Sequence, residues 1–391
     1  MMKKLLLVLI TLILTVGTVC ESLADGSMTD GLYFDENSNF WTDGEESSAE
    51  LVRIMRDECS KSPDIKGTYI LATDDRVLFI GGINSADTSG NKADAYTTYE
   101  IGSLTKMFTA TAILQLCERD LLSLEDTLDR YFPRYEYGKE ITIRQLLHMR
   151  SGLRTDFIRD NTFLDESGNR DIDEFRRYYY DGFDDAELLS LLFSDAPRYK
   201  PGTKFQYSNA GYTLLAMIIE QITGETYAQY IQKNIFDVCG MEHSSSMVTG
   251  DVTSIPEFVP STGAPDEDPY EIVDTLYMQL IKAMRGAGDI HSCVADMLLF
   301  DRALMGGKLI NENSLAEMLD TAAGYGCGWM QYGRYPNAWY HGGQTYFYMG
   351  YNLMCKIEKY GHLYLIQLHP TVAGDQYSNE CMAQIVLNVM Q

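Results

Sequence analysis

The chain of 391 residues is 45% hydrophobic and 22% charged, with 32 Gly and 10 Pro, proportions that exclude collagen, coiled coil and disorder and leave an ordinary globular protein. Its 31 Lys and Arg stand against 56 Asp and Glu, a formal charge of −25. With no basic cluster in the sequence, such a surface repels polyphosphate, so nucleic acid is not an expected partner and a solvated, soluble surface is the simplest reading of the acidity.

Residues 1–4 carry Lys3 and Lys4, and the run over residues 5–16 is apolar except for Thr11 and Thr15 before small residues appear at Ser22 and Ala24. A basic start, about a dozen apolar residues and a small-residue site describe a secretory signal peptide over residues 1–24, cut after Ala24. Lipidation at Cys20 and an uncleaved anchor are the alternatives. Val19 suits the first poorly, and the run is short of the roughly 20 residues that a spanning helix needs. All three place the rest of the chain outside the cytoplasm, extracellular or in the cell envelope, with this segment as the candidate membrane tether. The remaining cysteines, Cys59, Cys117, Cys239, Cys293, Cys327, Cys355 and Cys381, are odd in number and show no C-x-x-C spacing. Free, buried thiols are expected.

Residues 45–61 place Leu51, Ile54 and Met55 among charges, an amphipathic helix. Residues 69–72 and 77–80 flank Thr73-Asp74-Asp75-Arg76 and read as a β-hairpin. A dense apolar helix follows over residues 103–117. Residues 155–196 form an acidic excursion with Asp165, Glu166, Asp171, Asp173, Glu174, Asp181, Asp184 and Asp185, expected as a solvated insertion rather than a lid. Pro201-Gly202 turns the chain toward a helix over residues 210–223, stopped by Gly224. A helix after Gly286 carries Ala295, Met297, Leu298, Phe300 and Leu304. Strands are predicted over 325–332, 346–357 and 362–368, then a helix from Asn379. Strands at both ends around a helical middle imply an α+β chain. Its sheet unit comprises 45–115 and 286–391, its helical unit 116–285, and the site lies in the crevice between them.

Ser103-Leu104-Thr105-Lys106 is an S-x-x-K motif at the start of the buried helix. The three-residue offset puts both side chains on one face, and burial at a helix N-terminus depresses the lysine pKa, so that a neutral amine can take the serine proton. Ser89-Gly90-Asn91-Lys92 matches too, but in a polar loop with no helix to hold it. Tyr207-Ser208-Asn209 is a Y-x-N motif, shared with Tyr335-Pro336-Asn337 and Tyr377-Ser378-Asn379, so the pattern alone does not choose. His148, His243, His291, His362 and His369 lack metal-binding spacing and no metal or cofactor is expected. The absence of G-x-S-x-G argues against an α/β-hydrolase.

Four strings occur in order: Ile101-Gly102-Ser103-Leu104-Thr105-Lys106-Met107-Phe108-Thr109-Ala110, Leu146-Leu147-His148-Met149-Arg150-Ser151-Gly152-Leu153, Pro201-Gly202-Thr203-Lys204-Phe205-Gln206-Tyr207-Ser208-Asn209-Ala210-Gly211-Tyr212, and His341-Gly342-Gly343. Jointly the chain, over about residues 45–391, resembles the serine hydrolases of the β-lactamase and penicillin-binding-protein superfamily, on the branch with class C β-lactamases, esterases and D-aminopeptidases. The resemblance implies a β-lactamase/transpeptidase-like fold, an antiparallel sheet flanked by helices from both chain ends plus an inserted, mostly helical domain. It implies Ser103 as nucleophile with Lys106 and Tyr207 moving its proton, the base between those two being left open. Asn209 is implied to bond Lys106 and the substrate, and the N–H groups of Ser103 and Gln344 to bind the oxyanion. His341, Gly342 and Gly343 are implied to line the substrate strand, where the family usually carries Lys-Thr-Gly. A lysine there offers a cation to a substrate carboxylate, and a histidine, mostly neutral at pH 7, does not. A small-molecule or peptide ester or amide, including D-amino-acid peptides, is therefore expected over penicillins. Tyr346, Phe347 and Tyr348 are candidates for an aromatic wall, at least one of them facing the core. The alternative is a penicillin-binding or sensor-type protein that is acylated without efficient turnover.

Overall fold

The structure, a computed structural model, describes residues 28–35, 40–59, 66–83, 92–157, 184–246, 284–345, 348–370 and 375–389. The N-terminal segment, Ser89 to Asn91, most of the acidic excursion, and Tyr346 and Phe347 lie outside the described residues.

Strands β1 (Tyr33–Asp35), β2 (Phe40–Thr42), β3 (Gly67–Thr73) and β4 (Val77–Ile83) come early in the chain. Strands β5 (Tyr99–Glu100), β6 (Ser245–Ser246) and β7 (Ile290–Ser292) make a small sheet in the order β5-β7-β6. Strands β8 (Met330–Gln331), β9 (Ala338–Gln344), β10 (Met349–Ile357) and β11 (Gly361–His369) come late. Early and late strands form one antiparallel sheet, β1-β2-β4-β3-β11-β10-β9-β8.

Period-two alternation explains the two cores. In the predicted hairpin Ile70 lies opposite Ile80 and Leu71 opposite Phe79, and successive side chains leave opposite faces. Ile70 and Ile80 join Phe108 and Ile366 in one core, whereas Tyr69, Leu71 and Phe79 join Leu51, Met55 and Ile385 in the other. A strand covered on both faces needs no polar stripe, which is why β3 reads as a continuous apolar run.

The described α-helices of five or more residues are α1 (Ala49–Cys59), α2 (Thr105–Glu118), α3 (Ile143–Leu147), α4 (Asp185–Phe193), α5 (Asn209–Thr223), α6 (Tyr227–Ile231), α7 (Val294–Met305), α8 (Glu312–Leu319) and α9 (Asp375–Val389). α1 and α9 pack together on one face of the sheet, and α7 lies against β3 and β11 on the other. The mixed α+β class expected from the sequence holds, with the sheet built from both ends around a largely helical middle. α2 is buried on every side, as expected of a run with no polar stripe.

Two expectations are corrected, and two strands are added. The strand predicted over 325–332 shrinks to Met330–Gln331, because Cys327 N–H donates to the Met318 carbonyl at 2.8 Å and folds the segment against α8 as a turn. The last helix begins at Asp375 rather than Asn379. β1 and β2, three residues each, are too short for any periodicity to announce them. Among the described residues Cys117, half-buried, and Cys239, Cys293, Cys327, Cys355 and Cys381, all buried, form no disulfide.

Candidate active site

Ser103 sits in a single 3-10 turn, Gly102–Leu104, that feeds directly into α2. Gly102 takes φ +50°, a left-handed conformation that glycine adopts without steric cost. Ser103 is partly exposed while both its neighbours are buried, so it alone in the turn reaches the surface.

Lys106, one turn on, is fully buried. Its Nζ lies 2.9 Å from Ser103 Oγ and 2.6 Å from the Ala287 carbonyl oxygen. That carbonyl belongs to a turn pinned by Thr109, whose hydroxyl donates to the Gly286 carbonyl at 2.6 Å, and by Asp289, whose carboxylate accepts from Gly286 N–H at 2.8 Å and from the Ser246 hydroxyl at 2.6 Å. Burial strips the lysine of water and lowers its pKa to about 7, opposed by the Asp156 and Asp289 carboxylates. A lysine in this state holds a substantial neutral fraction at neutral pH. Asp289 is itself pushed up to about 6 by burial.

Tyr207 approaches from the loop before α5. Lys106 Nζ lies 5.0 Å from its ring centroid. Burial raises the Tyr207 pKa above its ordinary value, helped by the Asp156 charge and countered by the Ser103 hydroxyl nearby. The phenol is therefore protonated at neutral pH. Asn209 departs from the expected partner. Its Nδ2 donates to Asp156 Oδ1 at 2.9 Å, and because a carboxylate only accepts, this bond fixes the amide orientation and leaves Oδ1 buried and unpartnered. Asp156 itself has no sequence motif to announce it.

Strand β9 closes the other side. His341, expected to offer itself to the substrate, is 1% exposed, with Nδ1 2.6 Å from the Gly342 carbonyl and Nε2 2.8 Å from the Tyr325 hydroxyl. The carbonyl accepts, so Nδ1 carries the proton and Nε2 accepts from Tyr325. Both nitrogens are committed, which corrects a substrate-contact role for His341 to one of holding β9 in place. Burial, with Lys106 nearby, lowers its pKa to about 3, so the ring is neutral. Tyr348 is buried, as one of the three aromatic candidates had to be.

Gly343 keeps β9 close to the serine turn, whereas Gly342 faces the Tyr351 ring on β10. A methyl group at position 343 would sit 1.9 Å from the Ile101 carbonyl oxygen, and one on Gly102 would sit 3.0 Å from Gln344 N. Thr345 N–H donates across to Tyr348 at 2.9 Å. Since N–H directions alternate along a strand, Gln344 N–H faces the opposite edge, toward Ser103. Gly343→Ala is therefore expected to destabilise the fold by about 1–3 kcal/mol through overpacking, read as a drop of several degrees in Tm by calorimetry.

The Beta-lactamase family model matches residues 55–386. The chain belongs to the beta-lactamase family. PbpX of Bacillus subtilis strain 168, which carries a penicillin-binding-protein name, is 29% identical over 310 residues, 78% of this chain and 71% of its own. Two further relatives are longer, the matches spanning 57% and 38% of their lengths. A penicillin binding protein from Bacillus halodurans superposes with a TM-score of 0.67 at 22% identity, covering 86% of this chain and 98% of that one. A D-amino acid amidase from Ochrobactrum anthropi SV3, solved with L-phenylalanine amide, gives 0.67 at 22% identity over 88% and 99%. These likenesses establish the β-lactamase fold, and the family is one of serine hydrolases that act through an acyl-enzyme. Of this candidate site, sequence motifs mark Ser103, Lys106, Tyr207, Asn209 and the His341 strand. They give no sign of Asp156, Ala287, Asp289 or Tyr325, which only the fold brings alongside.

Proposed function

We propose that this beta-lactamase-family protein hydrolyses small amides or esters, with amino-acid amides of D configuration as the leading substrate class. Ser103 attacks the carbonyl, Lys106 Nζ takes its proton, and the N–H groups of Ser103 and Gln344 receive the oxyanion. Tyr207, protonated and beside Ser103, hands a proton to the leaving amine. Water then cleaves the acyl-enzyme by the reverse sequence. The observation that carries this reading is the buried Lys106, 2.9 Å from Ser103 Oγ, with its pKa near 7. The same observation favours Lys106 over Tyr207 as the acylation base.

Charge supports the substrate class. Neutral, fully bonded His341 offers no cation to a penicillin carboxylate. Asp156 is partly exposed and close enough for its charge to act on both Lys106 and Tyr207. It can receive the α-ammonium of an amino-acid amide. The basic, apolar start of the chain supports action outside the cytoplasm.

Asp156→Asn is expected to lower kcat/KM for D-alanine or D-phenylalanine amide by about tenfold or more, the scale of one charged hydrogen bond. The N-acetylated amides, which carry no ammonium, are expected to change no more than about twofold at the same pH. Equal losses on both sets would remove the ammonium-binding role, because an altered Lys106 pKa acts on every substrate alike.

A further inference from the structure

Behind the site, three side chains from separate segments converge. His148 follows α3, Glu317 lies on α8, and Cys327 lies in the turn before β8. Their donor atoms all lie within 4.8 Å of one another. His148 Nδ1 is 2.9 Å from the Tyr325 carbonyl oxygen, which only accepts, so this nitrogen carries the proton. In the neutral ring Nε2 then presents a lone pair, 3.0 Å from Glu317 Oε1 and 3.5 Å from Cys327 Sγ. A lone pair facing a carboxylate oxygen at that distance is repulsive unless a cation lies between them.

We propose that His148, Glu317 and Cys327 form a zinc site. Zinc takes imidazole and carboxylate donors at about 2.0 Å and thiolate at about 2.3 Å, which in a tetrahedron puts N and O about 3.3 Å apart and N and S about 3.5 Å apart. The observed N···S separation of 3.5 Å equals that edge, and the N···O separation of 3.0 Å is about 0.3 Å shorter than its edge. An imidazole, a carboxylate and a thiolate together select zinc over magnesium or calcium. The supporting groups are in place, with the Tyr325 carbonyl fixing the imidazole tautomer and the Arg144 guanidinium holding the Glu317 carboxylate. His148 and Cys327 are buried, while the Glu317 side chain is 26% exposed and gives the ion its entry path. Binding exchanges the Cys327 thiol proton for the metal and releases that proton to solvent, with no change of oxidation state. The bound ion locks His148 on the Tyr325 carbonyl, and the Tyr325 hydroxyl holds His341. Zinc would stiffen the β9 side of the site without touching the reacting atoms.

The test uses the full chain, stripped with a chelator and titrated with Zn2+ by calorimetry and with Co2+ as an optical probe. The expected result is one more ion per chain than in Cys327→Ser, a thiolate-to-cobalt absorption band lost in that variant, and a Tm raised by zinc in the wild type alone. Equal uptake by both proteins with no such band would overturn the site and leave a proton as the cation between His148 and Glu317. Should Cys327→Ser fail to fold, Glu317→Gln is expected to bind zinc at least tenfold more weakly than the wild type, and unchanged affinity would equally overturn it.

Discussion

Ser103→Ala is expected to lower hydrolysis of a D-amino-acid amide or a short-chain p-nitrophenyl ester by about four to six orders of magnitude, the scale on which removing a serine nucleophile acts. The fold should survive. Gly102 and the packing of α2, not the serine side chain, hold the turn, and Lys106 keeps its bond to the Ala287 carbonyl. One hydrogen bond among buried partners is worth about 1 kcal/mol, so Tm should move by only a few degrees. Calorimetry and steady-state kinetics on the same preparation check both halves. A variant that retains even a hundredth of wild-type turnover would move the nucleophile elsewhere.

The second large effect is in pH. Protonated Lys106 has no lone pair to accept the Ser103 proton, so kcat/KM is expected to rise along a limb with an apparent pKa near 7, the value to which burial brings this lysine. Lys106→Arg places a permanent cation there and should abolish the limb together with at least 10³-fold of the activity, roughly the reach of general base catalysis. Stability follows the same group with a definite sign. Between about pH 7 and 10.5 the unfolded chain holds the Lys106 proton and the folded chain does not. Lys106 therefore makes stability increase with pH across that window and costs most below it. A rate limb centred above pH 9 would mean that Lys106 is as hydrated as a surface lysine, contrary to its burial.

The sequence and the fold agree most where a signal is local. The β3–β4 hairpin shows itself through apolar runs around Thr73-Asp74-Asp75-Arg76, and α5 through its apolar run and the stop at Gly224. Ser103 and Lys106 lie one helical turn apart, so a single string holds them. Non-local geometry left no such trace. Asp156 meets Asn209 across the fold, and Asp289 fixes the carbonyl that receives Lys106 from far along the chain. His148, Glu317 and Cys327 share no spacing that a metal motif would carry. His341 illustrates the limit from the other side: the string placed it correctly on the strand beside the serine, but only the bonds to Gly342 and Tyr325 reveal that neither nitrogen is free for a ligand.

The central claim, an acyl group carried on Ser103, is tested most directly by rapid-quench mass spectrometry of the whole protein with a D-phenylalanine ester, followed by peptide mapping. The account predicts an added D-phenylalanyl mass on the peptide containing Ser103, decaying as substrate is consumed and absent from Ser103→Ala. Hydrolysis with no mass on that peptide, or an adduct carried by another residue, would contradict it.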